Sequence, residues 1–127
     1  MNLTSNIANG GITYTPHLVI RSTKDFQYKP NIYISTNISK SAYEQVRSSM
    51  RDSVIYGTSK KLSKLPMEFG GKTGSAQQSG SAKATSFSIG FWPYTDPSYS
   101  FAIFLEEGSF GSSSLDPIVE TLSTIKL

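Results

Sequence analysis

Gly70-Gly71-Lys72-Thr73-Gly74-Ser75-Ala76-Gln77 is the stretch on which the reading of this chain turns. Read as an extended strand it alternates, so Lys72 and Gly74 face one way and Thr73 and Ser75 the other. A small residue at 74 lets another chain or a ligand lie close against the backbone. An ammonium and a hydroxyl beside it are then placed to hold a carboxylate, while backbone N–H and C=O groups pair with an amide.

Working outward, residues 85–92 alternate Phe87, Ile89 and Phe91 with Ser86, Ser88 and Gly90, the pattern of a half-buried strand. Residues 93–98 supply a turn through Pro93 and Pro97. Residues 99–105 are apolar on both faces apart from Ser100, as in a central strand covered on both sides. Residues 108–114 read as a flexible glycine/serine loop. Asp116-Pro117 then starts a helix, and Leu115, Ile118, Val119, Leu122 and Ile125 form one stripe for packing on a sheet.

Upstream, residues 56–69 carry Lys60, Lys61 and Lys64 without interleaved aromatics. This is a solvated loop rather than a nucleic-acid patch, with a supporting role in raising local positive potential. Residues 41–54 read as a helix opened by a Ser41/Glu44 capping box, with Ala42, Tyr43, Val46 and Met50 on one face. Arg47 and Arg51 fall on its outer, solvated side. Residues 31–35 form a short strand, 21–30 a hairpin or loop, and 12–20 an extended run interrupted by Pro16. His17, the only histidine, is read as a strand or surface residue rather than a general base. Leu3, Ile7 and Ala8 are the tail of an apolar helical face ended by Gly10-Gly11. The order helix, Lys-Thr-Gly strand, strand, strand, helix, with short connections, predicts an α+β fold. Its sheet is antiparallel, with residues 70–77 at an edge.

Composition narrows the class. The chain has 127 residues, 37% hydrophobic and 17% charged, which fits one globular piece with a modest core. A net charge of +3 does not by itself suggest nucleic acid. There is no cysteine, which excludes disulfides and thiolate metal sites. No apolar run approaches the roughly 20 residues of a membrane span, and residues 1–7 lack the features of a signal peptide.

Lys-Thr-Gly is one of three signatures of penicillin-recognising serine enzymes, beside Ser-x-x-Lys and a Ser-x-Asn element. Ala8-Asn9-Gly10-Gly11, Pro16-His17-Leu18-Val19, Met50-Arg51-Asp52-Ser53-Val54, Gly57-Thr58 and Gly71-Lys72-Thr73-Gly74-Ser75-Ala76-Gln77 occur here in order. From about Asn6 to the C-terminus the chain resembles the C-terminal part of the transpeptidase domain of class B penicillin-binding proteins, most like penicillin-binding protein 2. The resemblance implies a partial transpeptidase fold of the kind shared with β-lactamases. It also implies an extracytoplasmic, periplasmic setting for a membrane-anchored parent, and no cofactor and no metal.

In that family a serine of Ser-x-x-Lys attacks the penultimate D-alanine carbonyl of a peptidoglycan stem peptide. D-Alanine leaves, and the acyl group passes to an amine of a neighbouring strand; β-lactams mimic the D-Ala-D-Ala end and trap the acyl-enzyme. The resemblance implies that Lys72 supplies positive charge near the substrate carboxylate and helps the proton relay. Thr73 hydrogen-bonds that carboxylate, and the Ser75 backbone N–H is an arm of the oxyanion hole. Gly74 and Gln77 belong to the same substrate-binding strand. No Ser-x-x-Lys precedes Lys72 in these 127 residues; the one that occurs, Ser123-Thr124-Ile125-Lys126, comes after it, and Thr58-Ser59-Lys60-Lys61 fits only with threonine. Ser35-Thr36-Asn37 spells Ser-x-Asn but lies too near Lys72 along the chain and is read as coincidence.

The expectation is therefore the substrate-binding portion of one transpeptidase domain, residues 1–127, inactive alone and in need of its missing N-terminal half. The alternative is a non-catalytic binding or assembly module derived from the same fold. A third reading, an unrelated β-rich binding protein, is disfavoured by the ordered matches. An adjacent upstream Ser-x-x-Lys separates the first two.

Overall fold

The structure is a computed structural model, and it describes the chain except residues 19–20, 24–25, 28, 36, 78–83, 109 and 126–127. Helix α1 (Asn2–Ala8) leads into strand β1 (Ile12–Tyr14), a hairpin of β2 (Arg21–Thr23) and β3 (Phe26–Gln27), and β4 (Ile32–Ser35). Then come α2 (Lys40–Ile55), β5 (Gly70–Gln77), β6 (Ala84–Trp92), β7 (Tyr99–Leu105) and α3 (Asp116–Thr124). Short 3₁₀ turns at Lys60–Lys64 and Gly111–Leu115 replace the two loops expected there. Leu62 and Leu115 are the reason, because each is fully buried and pulls its segment onto the sheet.

The principal sheet has the order β5-β6-β7 and is antiparallel throughout. β1 pairs with β4, and β2 with β3, in two small separate ladders. Among the described strands, residues 99–105 therefore form the second edge, while β6 is central. Their double-sided apolarity had suggested the centre. In the structure Phe101 is buried, whereas Phe104 on the opposite face is 64% exposed.

Register defines the two faces. Lys72, Ile89 and Ala102 stand in one row across the sheet, and Gly74, Phe87 and Phe104 in the next. This is the face of α1 and α2, where Phe91 packs with Ala8 and Met50. Thr73, Ser88 and Ile103 share the other face. There Val54, Leu62, Leu65, Phe69, Phe101, Leu115, Ile118 and Leu122 form the main core under α3.

The alternation of β6 holds, but its faces are filled otherwise than a half-buried strand implies. Ser86 and Ser88 are fully buried and Phe87 is 40% exposed. Small side chains on the core face let the 111–115 turn press against the sheet, with Ser88 Oγ donating to the Ser114 carbonyl at 3.3 Å. On the other face phenyl rings lie across strands over glycine. A Cβ on Gly74 would stand 2.1 Å from Phe87 Cζ, and one on Gly70 2.5 Å from Phe91 Cζ. Glycine at 74 thus makes room for the protein's own Phe87 ring.

Three other expectations are corrected. The N-cap of α2 is Ser39, whose side chain accepts from the Ala42 N–H, so Ser41 lies inside the helix. In α1 the buried residues are Thr4, Asn6 and Ala8, while Leu3 is exposed. Asn6 turns inward because its amide donates to Thr13 Oγ1 at 2.9 Å and accepts from the Tyr43 hydroxyl at 2.8 Å. Beyond α1, Gly10 and Gly11 adopt φ of 69° and 113°, the left-handed region open to glycine. Arg47 and Arg51 are not a solvated face, because residues of the 93–98 turn fold over them. Arg47 donates to the Tyr94 carbonyl at 2.6 Å and lies 5.6 Å from the centres of the Phe91 and Tyr94 rings.

Candidate active-site strand

α2 packs against β5, and Arg51 ties the two together. Arg51 donates to the Phe69 carbonyl at 3.2 Å and pairs with Glu68 at 2.6 Å, just ahead of Gly70. Its guanidinium lies 5.7 Å from the Tyr94 ring centre. These contacts tie the start of β5 to the C-terminal half of α2, so the strand enters the sheet in a fixed position. A Cβ on Gly71 would meet Leu62 Cδ1 at 2.8 Å, so the strand is also seated closely on the 60–64 turn.

β5 carries the five residues expected of the site along one strand but distributes them between environments. Lys72 is exposed, on the α1/α2 face, and its ammonium donates to the Thr73 carbonyl at 2.5 Å. Thr73 points to the core face and is only 5% exposed. Gly74 is half-buried under Phe87, while Ser75 and Gln77 are exposed at the end of the strand. From the other face, Gly111 closes on the same point: a Cβ there would lie 2.8 Å from the Gly74 carbonyl oxygen. The strand is thus gripped at residues 70–74 and uncovered at 75–77.

Lys72 stands on an open groove of about 780 Å³. Ile7, Val46, Met50 and Ile89 give it an apolar lining, and Thr58 and Asp52 are among its polar residues. Ile89 and Met50 also belong to the small cluster around Phe91, so the groove floor continues that core.

Thr58 is the residue that reading the sequence left without a role. It follows the end of α2, in a loop whose Ser59 N–H bonds the Ser53 carbonyl at 3.0 Å. Its hydroxyl lies 2.6 Å from the Thr73 hydroxyl. The two residues are fifteen positions apart, and no local periodicity links them; Gly57-Thr58 stood only among the ordered matches. The Lys60–Lys64 cluster stays away from the groove lining, and Lys61 pairs with Asp116 at 2.6 Å. Ser35 lies on β4, in a different sheet from Lys72, and Thr36 lies outside the described residues.

A mixed fold with helices on an antiparallel sheet and a Lys-Thr-Gly strand at the sheet edge defines the class. The model of the penicillin binding protein transpeptidase domain matches residues 1–124, and the chain belongs to that family. No curated protein matches. Among solved structures, the D,D-transpeptidase domain of a peptidoglycan glycosyltransferase from Eggerthella lenta is similar, with TM-score 0.82 and 25% identity. That match covers 96% of this chain and 30% of the other. Penicillin-binding protein 2 from Helicobacter pylori is similar over 96% of this chain and 22% of its own, with TM-score 0.75 and 25% identity. Penicillin-binding protein 2 of Pseudomonas aeruginosa, solved with WCK 5153, shares the fold at 24% identity and TM-score 0.77, over 95% of this chain and 28% of that one. This chain thus spans less than a third of each. No helix among the described residues is long and apolar enough to cross a membrane.

Proposed function

We propose that residues 1–127 form the substrate-binding portion of a serine D,D-transpeptidase that binds penicillin and cross-links peptidoglycan stem peptides on the extracytoplasmic, periplasmic side of the membrane. The observation that carries this reading is the placement of Lys72, on an apolar groove beside the uncovered end of an edge strand. An extended peptide ending in a carboxylate suits such a strand: its amides pair with backbone groups and its charge meets the ammonium. The serine comes from a Ser-x-x-Lys outside these residues. It adds to the D-alanine carbonyl, the D-alanine amine leaves with a proton, and an acceptor amine later displaces the serine. Lys72 attracts the substrate carboxylate and the Thr73 hydroxyl hydrogen-bonds it, the Ser75 N–H faces the developing oxyanion, and Gly74 and Gln77 shape the strand the peptide lies along. The groove beside Lys72 receives the serine-bearing part of the domain.

The test is covalent labelling by a fluorescent penicillin, using a chain that carries these residues together with Ser-x-x-Lys. Lys72→Ala is expected to slow labelling on the order of 100-fold, the usual loss when a key electrostatic group is removed. Unfolding changes little, because the side chain is exposed. The isolated 127 residues remain unlabelled for want of an activated serine. Labelling of the isolated chain, or full labelling of Lys72→Ala, would overturn the reading.

A further inference from the structure

We propose that Arg51 is a positioning residue for the proposed reaction: by holding the Phe69 carbonyl it fixes where β5 lies, and so where the Ser75 N–H meets the reacting carbonyl. This rests on the proposed function. Arg51 does not line the groove and acts through the strand.

The head of β5 has almost no side chains of its own to anchor it. Gly70, Gly71 and Gly74 have none and Lys72 is exposed, so within residues 70–74 only Thr73 buries a side chain. Glycine also loses the most backbone freedom on ordering. β5 is an edge strand, paired with β6 on one side and with no described strand on the other. Its position therefore depends on what grips its backbone. The Phe91 ring over Gly70, Leu62 against Gly71 and the Gly111 backbone against Gly74 grip by contact alone, from the two faces of the sheet. Such contacts resist motion across the sheet more than motion along it. Arg51 adds the directional hold. Its Nη1 donates to the Phe69 carbonyl and its Nη2 to Glu68 Oε1, while the guanidinium lies against the Tyr94 ring. One planar fork thus joins α2, the two residues before β5 and the turn after β6, in a geometry that a flexible ammonium does not reproduce.

Distance and direction decide which step feels a slack strand. Ser75 is six residues beyond Phe69, about 20 Å along an extended strand. Attraction between the Lys72 ammonium and a carboxylate falls slowly with separation and asks little of angle. A backbone N–H facing an oxyanion is sensitive to both distance and angle. Loosening the head of β5 therefore weakens the transition state more than it weakens binding, and the loss falls on the maximal rate.

The experiment follows penicillin acylation at rising concentration, in the chain that carries these residues together with an upstream Ser-x-x-Lys. It separates the maximal rate constant from the half-saturating concentration. Arg51→Met keeps much of the packing and removes both bonds. It is expected to lower the maximal rate constant about tenfold, within the range that small misplacements cost, and to change the half-saturating concentration less than about twofold. Arg51→Lys falls between Arg51→Met and wild type, because an ammonium reaches the carbonyl or Glu68 without matching the fork. Glu68→Gln leaves the carbonyl bond in place and costs less than Arg51→Met. Ile118→Val loosens the core under α3, away from β5, and lowers unfolding stability while leaving both kinetic parameters unchanged. A maximal rate constant in Arg51→Met that matches Ile118→Val overturns the inference, as does a half-saturating concentration that rises as far as the rate falls. Where Arg51→Met does not fold, a wild-type rate constant in Arg51→Lys overturns it equally. These outcomes leave the transpeptidase reading standing, whereas a wild-type chain that is not acylated at all overturns both.

Discussion

The two faces of the β5-β6-β7 sheet are built from the same strands and finished differently. Under α3 the sheet is closed: Leu62, Phe69 and Leu115 are fully buried there, and Ser86 and Ser88 of β6 are shut off from water on the same face. Under α1 and α2 only the end near Phe91 is closed. Ile89 lies half-buried beside the groove, and Phe87, Ala102 and Phe104 face outward. On β6, serines thus sit on the sealed face and Phe87 on the open one. The difference separates two tasks. The sealed face supplies the burial that holds β5 in place, and the open face leaves Lys72 exposed beside the groove. Burying one large apolar side chain contributes roughly 1.5–3 kcal/mol, so a sealed face with eight of them is where stability resides.

The sharpest way to break that comparison is to hollow the sealed face. Phe69→Ala removes a fully buried ring that contacts Trp92 with ring centres 5.3 Å apart. A loss of about 3–5 kcal/mol is expected in denaturant unfolding. A loss under about 1 kcal/mol would mean that the core under α3 is not what holds the sheet.

A finer test compares the two glycines that meet at Gly74. A methyl at Gly111 runs into the Gly74 backbone, which cannot move without shifting the Lys-Thr-Gly strand. A methyl at Gly74 meets the Phe87 ring, which is 40% exposed and can swing toward solvent. Gly111→Ala is expected to cost about 1–3 kcal/mol, and Gly74→Ala less. The reverse order, measured by thermal or denaturant unfolding, would show that the ring and not the 111–115 turn fixes the strand.

These contrasts also mark what the sequence could disclose. The three strands, their antiparallel order and the edge position of residues 70–77 were legible, because alternation and short connections are local signals. The Pro117 start of α3 and its Ile118/Leu122 stripe were legible for the same reason. Which face of β6 is sealed was not legible, since it depends on what packs against the strand. Phe87 lies over Gly74 and Ser88 beneath Ser114, partners 13 and 26 residues distant in the chain. Arg47 and Arg51 read as solvent-facing because helical periodicity knows nothing of the turn at Tyr94. The Ser39 cap was missed because Ser41 and Glu44 offered a more familiar pattern two residues further on. At the site, Lys72 and Thr73 were visible through their tripeptide. Thr58 was visible in the Gly57-Thr58 match and as a threonine in place of the Ser-x-x-Lys serine, its bond to Thr73 being a product of the fold.

The smallest expected effect is on the open face. Phe104 is 64% exposed on β7, across from Phe87 and with no described strand on its outer side. If that face contributes little to the isolated fold, Phe104→Ser should change unfolding free energy by no more than about 0.5 kcal/mol, as surface substitutions do. The same change should act on association, because an apolar strand with an unpaired edge is a template for pairing with another chain. Sedimentation of the purified 127 residues at rising concentration reads this directly, and the serine variant should associate less. A loss of several kcal/mol in Phe104→Ser would instead show that the face carrying Lys72 is already sealed in the isolated chain. It would leave no room for the serine-bearing part of a transpeptidase domain, and so would favour a self-sufficient binding module.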